Sequence, residues 1–329
     1  MRRIAAGVLL AGGCASVAGL AIRVQASRTT PGVAAAPPGA PRYGLASAGL
    51  SYPFAAAIAK GFADAAAAAG AQAIILDARG GVQKQANDVQ DLIVGRVDGI
   101  AVMPLDAVVA QGWVARARAA GIPIAAVAAQ VGDPRRRAAR DVYPGLVALA
   151  TQDEVTAGAA AGRLAAQLLP RTRQARIALI EGAAGFPEVE QRARGFRQGL
   201  AAAGARYRIV AAQPGNWTAE GGEAACQNIL AAHPDIDLFF NEADDMVIGC
   251  ARAVRAAASP ARLIGLGGSK LAIASIRAGA VDGTVCFKPE ALGALAFQAL
   301  RTPRPEGRFL TYPLPAITAA SASACVGQW

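Results

Sequence analysis

The feature that most constrains the fold of this chain is an internal repeat. Residues 43–71 and 177–205 follow one template: an apolar strand, a loop with an aromatic residue before proline, and an amphipathic helix closed by Gly-Ala. The matched positions lie 134 residues apart throughout, namely Pro53 and Pro187, Gly61-Phe62 and Gly195-Phe196, Gly70-Ala71 and Gly204-Ala205. Two copies predict two similar lobes. Because parallel α/β sheets bind ligands outside the carboxyl ends of their strands, two facing lobes would enclose a ligand cleft.

The rest of the chain continues this alternation of strands and helices. A length of 329 residues exceeds the usual size of one domain, so two domains of about 100 to 150 residues are expected. From Tyr43 onward the pattern predicts parallel α/β sheets. Strands are predicted near residues 43–47, 73–77, 98–103, 123–128, 146–150, 176–181, 208–212, 236–241, 262–266 and 281–286. A last extended segment, 309–317, is expected to cross between the lobes.

Local signals mark the ends of several predicted helices. Ser51 is expected to be the N-cap of a helix with Pro53 in its first turn. Asp106 is expected to cap a later helix in the same half. Glycine is expected just after three helices, where the backbone becomes left-handed, at Gly70, Gly121 and Gly204.

The amino terminus has the composition of a secretion signal. A positively charged start and the uncharged stretch 4–22 precede small residues at 24–26. Residues 1–26 are therefore predicted to be a signal peptide that exports the protein to the periplasm. Residues 27–41, rich in Pro, Ala, Gly and Thr, are predicted to be a disordered tether. Lipid attachment at Cys14 and an uncleaved membrane anchor remain open as alternatives.

The formal net charge of +10 raises the question of a nucleic-acid partner. Three of the charges lie in the predicted signal peptide, which leaves +7 on the remainder. Apart from Arg135-Arg136-Arg137 the arginines are scattered, and no basic stripe alternates with aromatic residues. We therefore expect a solvated basic surface and no nucleic-acid partner.

The sequence indicates binding and not catalysis. Catalysis needs a nucleophile with its base, a metal cluster or a cofactor loop. His233 is the one histidine of the sequence, and it lies in a His-Pro-Asp turn predicted far from the strand carboxyl ends. The chain contains no H-E-x-x-H and no C-x-x-C motif. We expect no cofactor and no metal; a hydrolase that uses only Glu181 and Glu190 remains the catalytic alternative.

Four cysteines remain besides Cys14. An even number permits two disulfides in an exported chain. Cys226 and Cys250 fall on consecutive predicted helices and form one candidate pair, which would leave Cys286 and Cys325 as the other. Free buried thiols are the alternative.

Short motifs stand in a fixed order along most of the chain. In the first half they are Pro53-Phe54, Gly61-Phe62, Leu76-Asp77-Ala78, Lys84-Gln85, Val89-Gln90-Asp91-Leu92-Ile93, Val97-Asp98-Gly99-Ile100 and Pro104-Leu105-Asp106-Ala107. In the second half they are Ala157-Gly158, Glu181-Gly182, Arg192 with Gly195-Phe196, Gln213-Pro214 before Trp217, His233-Pro234-Asp235-Ile236, Asp244-Asp245-Met246, Ile264-Gly265 and Gly283-Thr284-Val285. With this order and spacing, residues 43–289 resemble the type I periplasmic solute-binding proteins, and the ribose-binding group in particular.

The resemblance implies a fold of two Rossmann-like α/β lobes with parallel sheets, joined by a three-segment hinge. The chain would cross between the lobes near Ala150, Phe287 and Pro313. The expected N-terminal lobe comprises residues 42–150 and 288–312, and the expected C-terminal lobe comprises residues 151–287 and 313–329.

The resemblance also implies a mode of action. A monomer would close its lobes around one small molecule and deliver it to an ABC permease, touching the membrane only through its leader or that permease. A sensory protein that presents its ligand to a chemoreceptor or histidine kinase is the alternative. LacI-type repressors share this core, but they carry a helix-turn-helix where this chain has its predicted secretion signal.

At the implied ligand site the chain departs from the sugar-binding members. Those members carry charged or amide side chains at seven positions that are occupied here by Met103, Ala128, Ala129, Glu190, Ala243, Gly267 and Phe287. Each lost hydrogen bond to a charged group removes roughly 1.5 to 3 kcal/mol, which is about tenfold or more in affinity. A simple sugar is therefore a disfavoured ligand.

Aromatic side chains are expected to replace the lost polar groups. Tyr52, Phe54, Phe186 and Trp217 would face the cleft, and Tyr52 and Phe186 occupy equivalent loops of the repeat, where they would form an aromatic clamp. With the Glu190 carboxylate, such a pocket suits an aromatic, apolar or cationic ligand. Ordinary packing stays open for Phe54, Met103 and Phe287, as does a surface ion pair between Glu190 and Arg194.

Overall fold

The structure, a computed structural model, describes residues 39–329. The predicted signal peptide, the alternative at Cys14 and most of the predicted tether lie outside the described residues. Within residues 39–329, no helix combines the length and the apolar composition that a membrane span needs.

Six parallel strands form the first sheet. They are β1 (Arg42–Ser47), β2 (Gln72–Asp77), β3 (Gly99–Val102), β4 (Ile124–Val127), β5 (Ala148–Ala150) and β11 (Arg308–Leu310), in the order β11-β5-β4-β3-β1-β2. Helices cover both faces of this sheet. One face packs against α1 (Pro53–Ala68) and α9 (Pro289–Arg301), and the other against α2 (Val82–Val94) and α3 (Ala110–Ala119). The central strands β3, β4 and β5 are buried at every residue and wholly apolar, as strands covered on both faces of a parallel sheet require.

Four parallel strands form the second sheet. They are β6 (Ala175–Glu181), β7 (Tyr207–Pro214), β8 (Leu238–Asn241) and β9 (Arg262–Ile264), in the order β7-β6-β8-β9. One face packs against α4 (Glu154–Leu168) and α5 (Pro187–Ala202). The other face packs against α6 (Ala219–Ala232), α7 (Asp244–Ala256) and α8 (Lys270–Arg277). Beyond β9, a short antiparallel pair joins β10 (Thr284–Val285) to β12 (Ala316–Ile317), and a 3-10 helix spans Ala319–Ala324.

The chain passes between the two sheets three times. It leaves the first sheet after β5, returns from the β10 region to β11, and leaves again before β12. The predicted fold class, two parallel α/β lobes with three connections, is thereby confirmed. The residue boundaries assigned to each lobe from the sequence stay a prediction.

The internal repeat is present in the backbone itself. The helices α1 and α5 are both 16 residues long, with Pro53 and Pro187 in their first turns. Their N-caps, Tyr52 and Phe186, have nearly the same dihedral angles, φ −83° and ψ 115° against φ −85° and ψ 124°. Both helices end before a left-handed glycine, as predicted, with φ +69° at Gly70 and +66° at Gly204.

The two predicted N-caps in the first lobe have different outcomes. Ser51 does not cap α1, because Pro53 occupies the first helical position and makes Tyr52 the cap residue. Asp106 does cap a turn: its Oδ1 accepts hydrogen bonds from the backbone N–H groups of Val108 (2.8 Å) and Val109 (2.9 Å), directly before α3.

Glycines in the repeat allow two helices to pack closely against neighbours. A Cβ at Gly61 of α1 would collide with the backbone of Glu290 in α9, and a Cβ at Gly195 of α5 would collide with the Val155 carbonyl in α4. The α1–α9 and α4–α5 pairs are therefore equivalent, and both depend on the absence of a side chain.

We predict that Gly195→Ala lowers the free energy of unfolding by about 1 to 3 kcal/mol, because the added methyl group forces α4 and α5 apart. The control is Gly112→Ala in α3, where a Cβ meets no atom within 4 Å and where alanine favours the helix by roughly 0.5 to 1 kcal/mol. Urea unfolding measures both. Equal stability of the two variants would contradict the packing role of Gly195.

Candidate ligand-binding site

A cavity of about 150 Å³ lies between the carboxyl ends of the two sheets. One wall comes from the segments after β1, β3 and β4, and the opposite wall from the segments after β6, β7, β8 and β9. The lining residues are Ala48, Tyr52, Pro53, Phe54, Ala55, Met103, Leu105, Ala128, Gln152, Phe186, Glu188, Arg192, Trp217, Ala243, Asp244, Asp245, Leu266, Gly267, Phe287 and Trp329. This is the place that parallel-sheet topology predicts for a ligand.

Aromatic rings supply much of the cavity wall. Phe54 meets Phe287 and Trp329 edge to face across the cleft, with ring centroids 6.3 and 5.5 Å apart. Phe186 meets Trp217 in the same manner at 6.1 Å. Tyr52, 45% exposed, stands at the entrance.

Eight of the ten residues predicted to contact a ligand line this cavity. They are Tyr52, Phe54, Met103, Phe186, Trp217, Ala243, Gly267 and Phe287. Their role in binding stays a prediction, since position alone does not establish contact.

Glu190 and Ala129, the other two predicted residues, do not line this cavity. The helix α5 turns Glu188 and Arg192 toward the cavity because residues four apart share a helix face. Glu190 lies two residues from each and is exposed. Ala129 is buried and lines a smaller cavity with Gln130 and other residues, while its neighbour Ala128, whose φ is +63°, reaches the main cavity.

Among the described residues that line the cavity, Arg192 is the one with a cationic side chain. Its charge is already paired within the protein. Its guanidinium donates to both carboxylate oxygens of Glu154, at 2.6 and 2.9 Å, and to the Glu242 carbonyl at 2.6 Å. It also stacks between Trp217 and Phe287, with Cζ 5.3 and 5.4 Å from their ring centres. Burial disfavours the charged form of Arg192. The nearby carboxylates, Glu154 above all, together favour the charged form more strongly, and the pKa of Arg192 is raised.

Three buried carboxyl groups of the second lobe, those of Glu188, Glu242 and Asp244, have raised pKa values. Burial, with a smaller contribution from the Glu154 charge, raises the pKa of Glu188 to about 7. Burial raises the pKa of Glu242 to about 8 although the Gly182 N–H donates to it at 2.9 Å. Burial likewise raises the pKa of Asp244 to about 6.

Both side-chain oxygens of Asp244 accept hydrogen bonds from within the protein. It accepts hydrogen bonds from the Ser269 N–H and the Thr284 hydroxyl, both at 2.7 Å. It lies in the first turn of α7, whose N-cap is Ala243. The two carboxylate oxygens of Asp244 therefore connect the first turn of α7 to the N-cap of α8 and to β10.

Three lining residues carry buried polar atoms that have no hydrogen-bond partner among residues 39–329: Gln152 Oε1, Glu188 Oε2 and Trp329 Nε1. Burying an unpaired polar group costs about 1 to 3 kcal/mol. The lining residues therefore include three buried polar atoms without a protein partner, within walls that are otherwise largely apolar.

Sequence reasoning missed Glu154, Glu188, Gln152 and Trp329 as site residues, and it noted Arg192 only as part of a motif. The spacing of Glu188 and Arg192 was a usable signal, because Pro187 fixes the start of the helix and hence its faces. For Trp329, far from the other lining residues in the sequence, no local pattern points to the cleft.

The structure contains both candidate disulfides. Cys226–Cys250 joins α6 to α7 in the core of the second sheet, with Cα atoms 5.3 Å apart. Cys286–Cys325 joins the end of β10 to the segment after the 3-10 helix, with Cα atoms 5.9 Å apart. Cys286 directly precedes the lining residue Phe287.

We predict that the ligand-free protein loses stability as pH rises from about 4.5 to 8. In this window the folded state holds a proton on Glu242 that the unfolded state has released, so deprotonation opposes folding. Each such group contributes at most about 1.4 kcal/mol per pH unit. Glu242→Gln should flatten the dependence of Tm on pH, and Glu190→Gln, at an exposed position, should not. A wild-type slope in Glu242→Gln would refute this.

Comparisons with known proteins agree with this architecture. The family model described as a periplasmic binding protein domain matches residues 43–302. The ribose import binding protein RbsB of Bacillus subtilis is 31% identical over 256 residues, 78% of this chain and 79% of that protein. An ABC transporter solute-binding protein of Mycobacterium smegmatis, solved with bound glycerol, superposes with a TM-score of 0.78 at 26% identity over 88% of this chain and 98% of that one.

A third protein extends the comparison. The myo-inositol binding protein of Caulobacter, solved with myo-inositol, superposes with a TM-score of 0.75 at 25% identity, over 86% of this chain and 95% of that one. The two facing sheets, the cavity between them and these matches all lead to the same assignment. The chain belongs to the periplasmic binding protein domain family and, within it, to the type I solute-binding proteins of the ribose-binding group.

Proposed function

We propose that the protein is an exported, periplasmic receptor that closes its lobes around one small molecule and delivers it to an ABC permease. The observation that carries this proposal is the cavity between the sheets, with its aromatic walls and its unpaired polar atoms at Gln152 and Glu188. The 31% identity to a protein named for ribose import supports import as the purpose of binding.

The cavity limits the size of the ligand. Its volume of about 150 Å³ is comparable to an engineered cavity that holds benzene. A molecule with a single ring, or a branched molecule of similar volume, fits this space.

Charge limits the chemistry of the ligand. Arg192 is neutralised by Glu154, and Asp244 is hydrogen-bonded within its own lobe. Glu188 and Asp245 are the remaining acidic groups at the cavity. An anion would meet these carboxylates without a free cation to hold it, whereas a cation would meet both carboxylates and aromatic faces.

We therefore propose that the ligand is a compact ammonium compound with an apolar or aromatic body. Its N–H groups would donate to Gln152 Oε1 and Glu188 Oε2, and its body would lie among Phe54, Phe186 and Trp217. Ala243, with a methyl group, and Gly267, with no side chain, offer no side-chain polar group to the hydroxyls of a simple sugar.

A polyol is the second candidate, and one observation favours it. The same two acceptors, Gln152 Oε1 and Glu188 Oε2, suit hydroxyl donors, and two structural relatives were solved with glycerol and with myo-inositol. An alcohol differs from an ammonium compound in having no charge for Glu188 to recognise.

Calorimetry on the full-length protein separates these candidates, with benzylamine, benzyltrimethylammonium, myo-inositol and ribose as probes. We predict that benzylamine binds best, because it combines a ring with N–H donors. Glu188→Gln should weaken benzylamine by about tenfold to a hundredfold, the value of a hydrogen bond to a charged group. The matched control is Glu190→Gln on the same helix, which should leave the affinity unchanged.

The calorimetric results separate the ammonium ligand from the polyol. Tight binding of myo-inositol or ribose, with no binding of benzylamine, would refute the ammonium ligand and retain the receptor. Equal effects of the two glutamine variants would remove Glu188 from the site. Binding of none of the four probes would refute the proposed ligand classes together.

A further inference from the structure

The final residues of the sequence, 325–329, run along the edge of the cavity and are fastened at several points. Cys325 forms its disulfide with Cys286. The Gln328 side-chain oxygen accepts a hydrogen bond from the Glu290 N–H at 2.9 Å. The Trp329 carbonyl accepts one from the Lys270 N–H, also at 2.9 Å. This segment is therefore held in one place beside the cleft.

The Trp329 indole forms part of the cavity wall. It meets Phe54 of α1 edge to face at 5.5 Å, on the opposite side of the cleft from Lys270 of α8, one of the residues that fasten the segment. A Cβ at Gly267 would come within 3.0 Å of the Trp329 ring. The absence of a side chain at Gly267 thus makes room for this indole.

The indole also supplies a polar group. Trp329 Nε1 is buried and has no hydrogen-bond partner among residues 39–329. An indole N–H acts only as a donor, so it suits an acceptor atom on a ligand. Trp329 therefore has two properties of a residue that anchors a ligand. Its ring offers apolar contact area, and its N–H group offers a directional hydrogen bond.

The Cys286–Cys325 disulfide fixes this arrangement. Cys286 is followed by Phe287, which lines the cavity, and Cys325 lies four residues before Trp329. A Cβ at Gly268 would collide with the Cys325 sulfur, which shows how closely the segment is packed. The disulfide therefore joins two walls of the cavity, Phe287 and Trp329, through a short covalent path.

We propose that Trp329 contacts the ligand and that the Cys286–Cys325 disulfide positions it for that contact. The proposal rests on the proposed receptor function and deepens it. Cys226–Cys250 serves as the internal control, because it lies in the core of the second sheet and neither cysteine lines the cavity.

The test uses full-length protein labelled with 15N at the indole nitrogens of its three tryptophans. The Trp329 signal is assigned as the one that Trp329→Phe removes. Benzylamine and myo-inositol are the probes, and either one that moves the Trp217 signal occupies the cleft. We expect that probe to move the Trp329 signal as well. Trp329→Ala should then lower its affinity by about tenfold, as for an aromatic anchor.

The double variant Cys286→Ser/Cys325→Ser tests the positioning role. We expect the Trp329 signal to shift in the ligand-free variant and the affinity to fall by a similar factor. Cys226→Ser/Cys250→Ser should leave both unchanged while it lowers Tm.

Three results would overturn the inference or part of it. A probe that moves the Trp217 signal but leaves that of Trp329 in place would refute the contact. An unchanged Trp329 signal in Cys286→Ser/Cys325→Ser would refute the positioning role. If neither probe moves the Trp217 signal, the proposed ligand classes fail, whereas the positioning role is still decided by the ligand-free spectra.

Discussion

The ion pair between Arg192 and Glu154 is the interaction on which the rest of the site depends. Arg192 belongs to α5, and Glu154 begins α4, directly after the chain has left the first sheet. The same guanidinium holds the Glu242 carbonyl and lies between the rings of Trp217 and Phe287. Removing one partner of such a buried pair typically costs about 3 to 5 kcal/mol, because the other charge is left unpaired. One side chain therefore organises four segments that border the cavity.

This arrangement also underlies the ligand class proposed for the cleft. Because Glu154 neutralises Arg192, the positive charge serves the architecture and is not available to an anion. The acidic side chains that remain, Glu188 and Asp245, face a cavity with aromatic walls. Burial keeps Glu188 close to its midpoint near neutral pH, so it can accept a hydrogen bond from a cation or, when protonated, donate one to an oxygen. Trp329 adds an apolar ring and one polar N–H group to the same cavity wall.

The sequence was a good guide wherever the structure follows local or repeated patterns. The repeat correctly predicted that α1 and α5 begin and end alike, because proline and glycine restrict the backbone at fixed positions. Local patterns predicted the residues of the site less well than they predicted the helices. The family resemblance implies Glu190 as a site residue, yet the start of α5 at Pro187 turns Glu188 inward. Trp329 reaches the cavity through a disulfide and tertiary hydrogen bonds, which leave no periodic signal in the chain.

The central claim is that one small molecule binds between the two copies of the repeat. A crystal structure of the full-length protein with its ligand tests this most directly. We expect a single molecule between Tyr52 and Phe186, with a polar atom within hydrogen-bond distance of Glu188 Oε2 and an intact Arg192–Glu154 pair. A ligand bound outside the cavity, or one held by a free Arg192 after Glu154 has moved away, would contradict it.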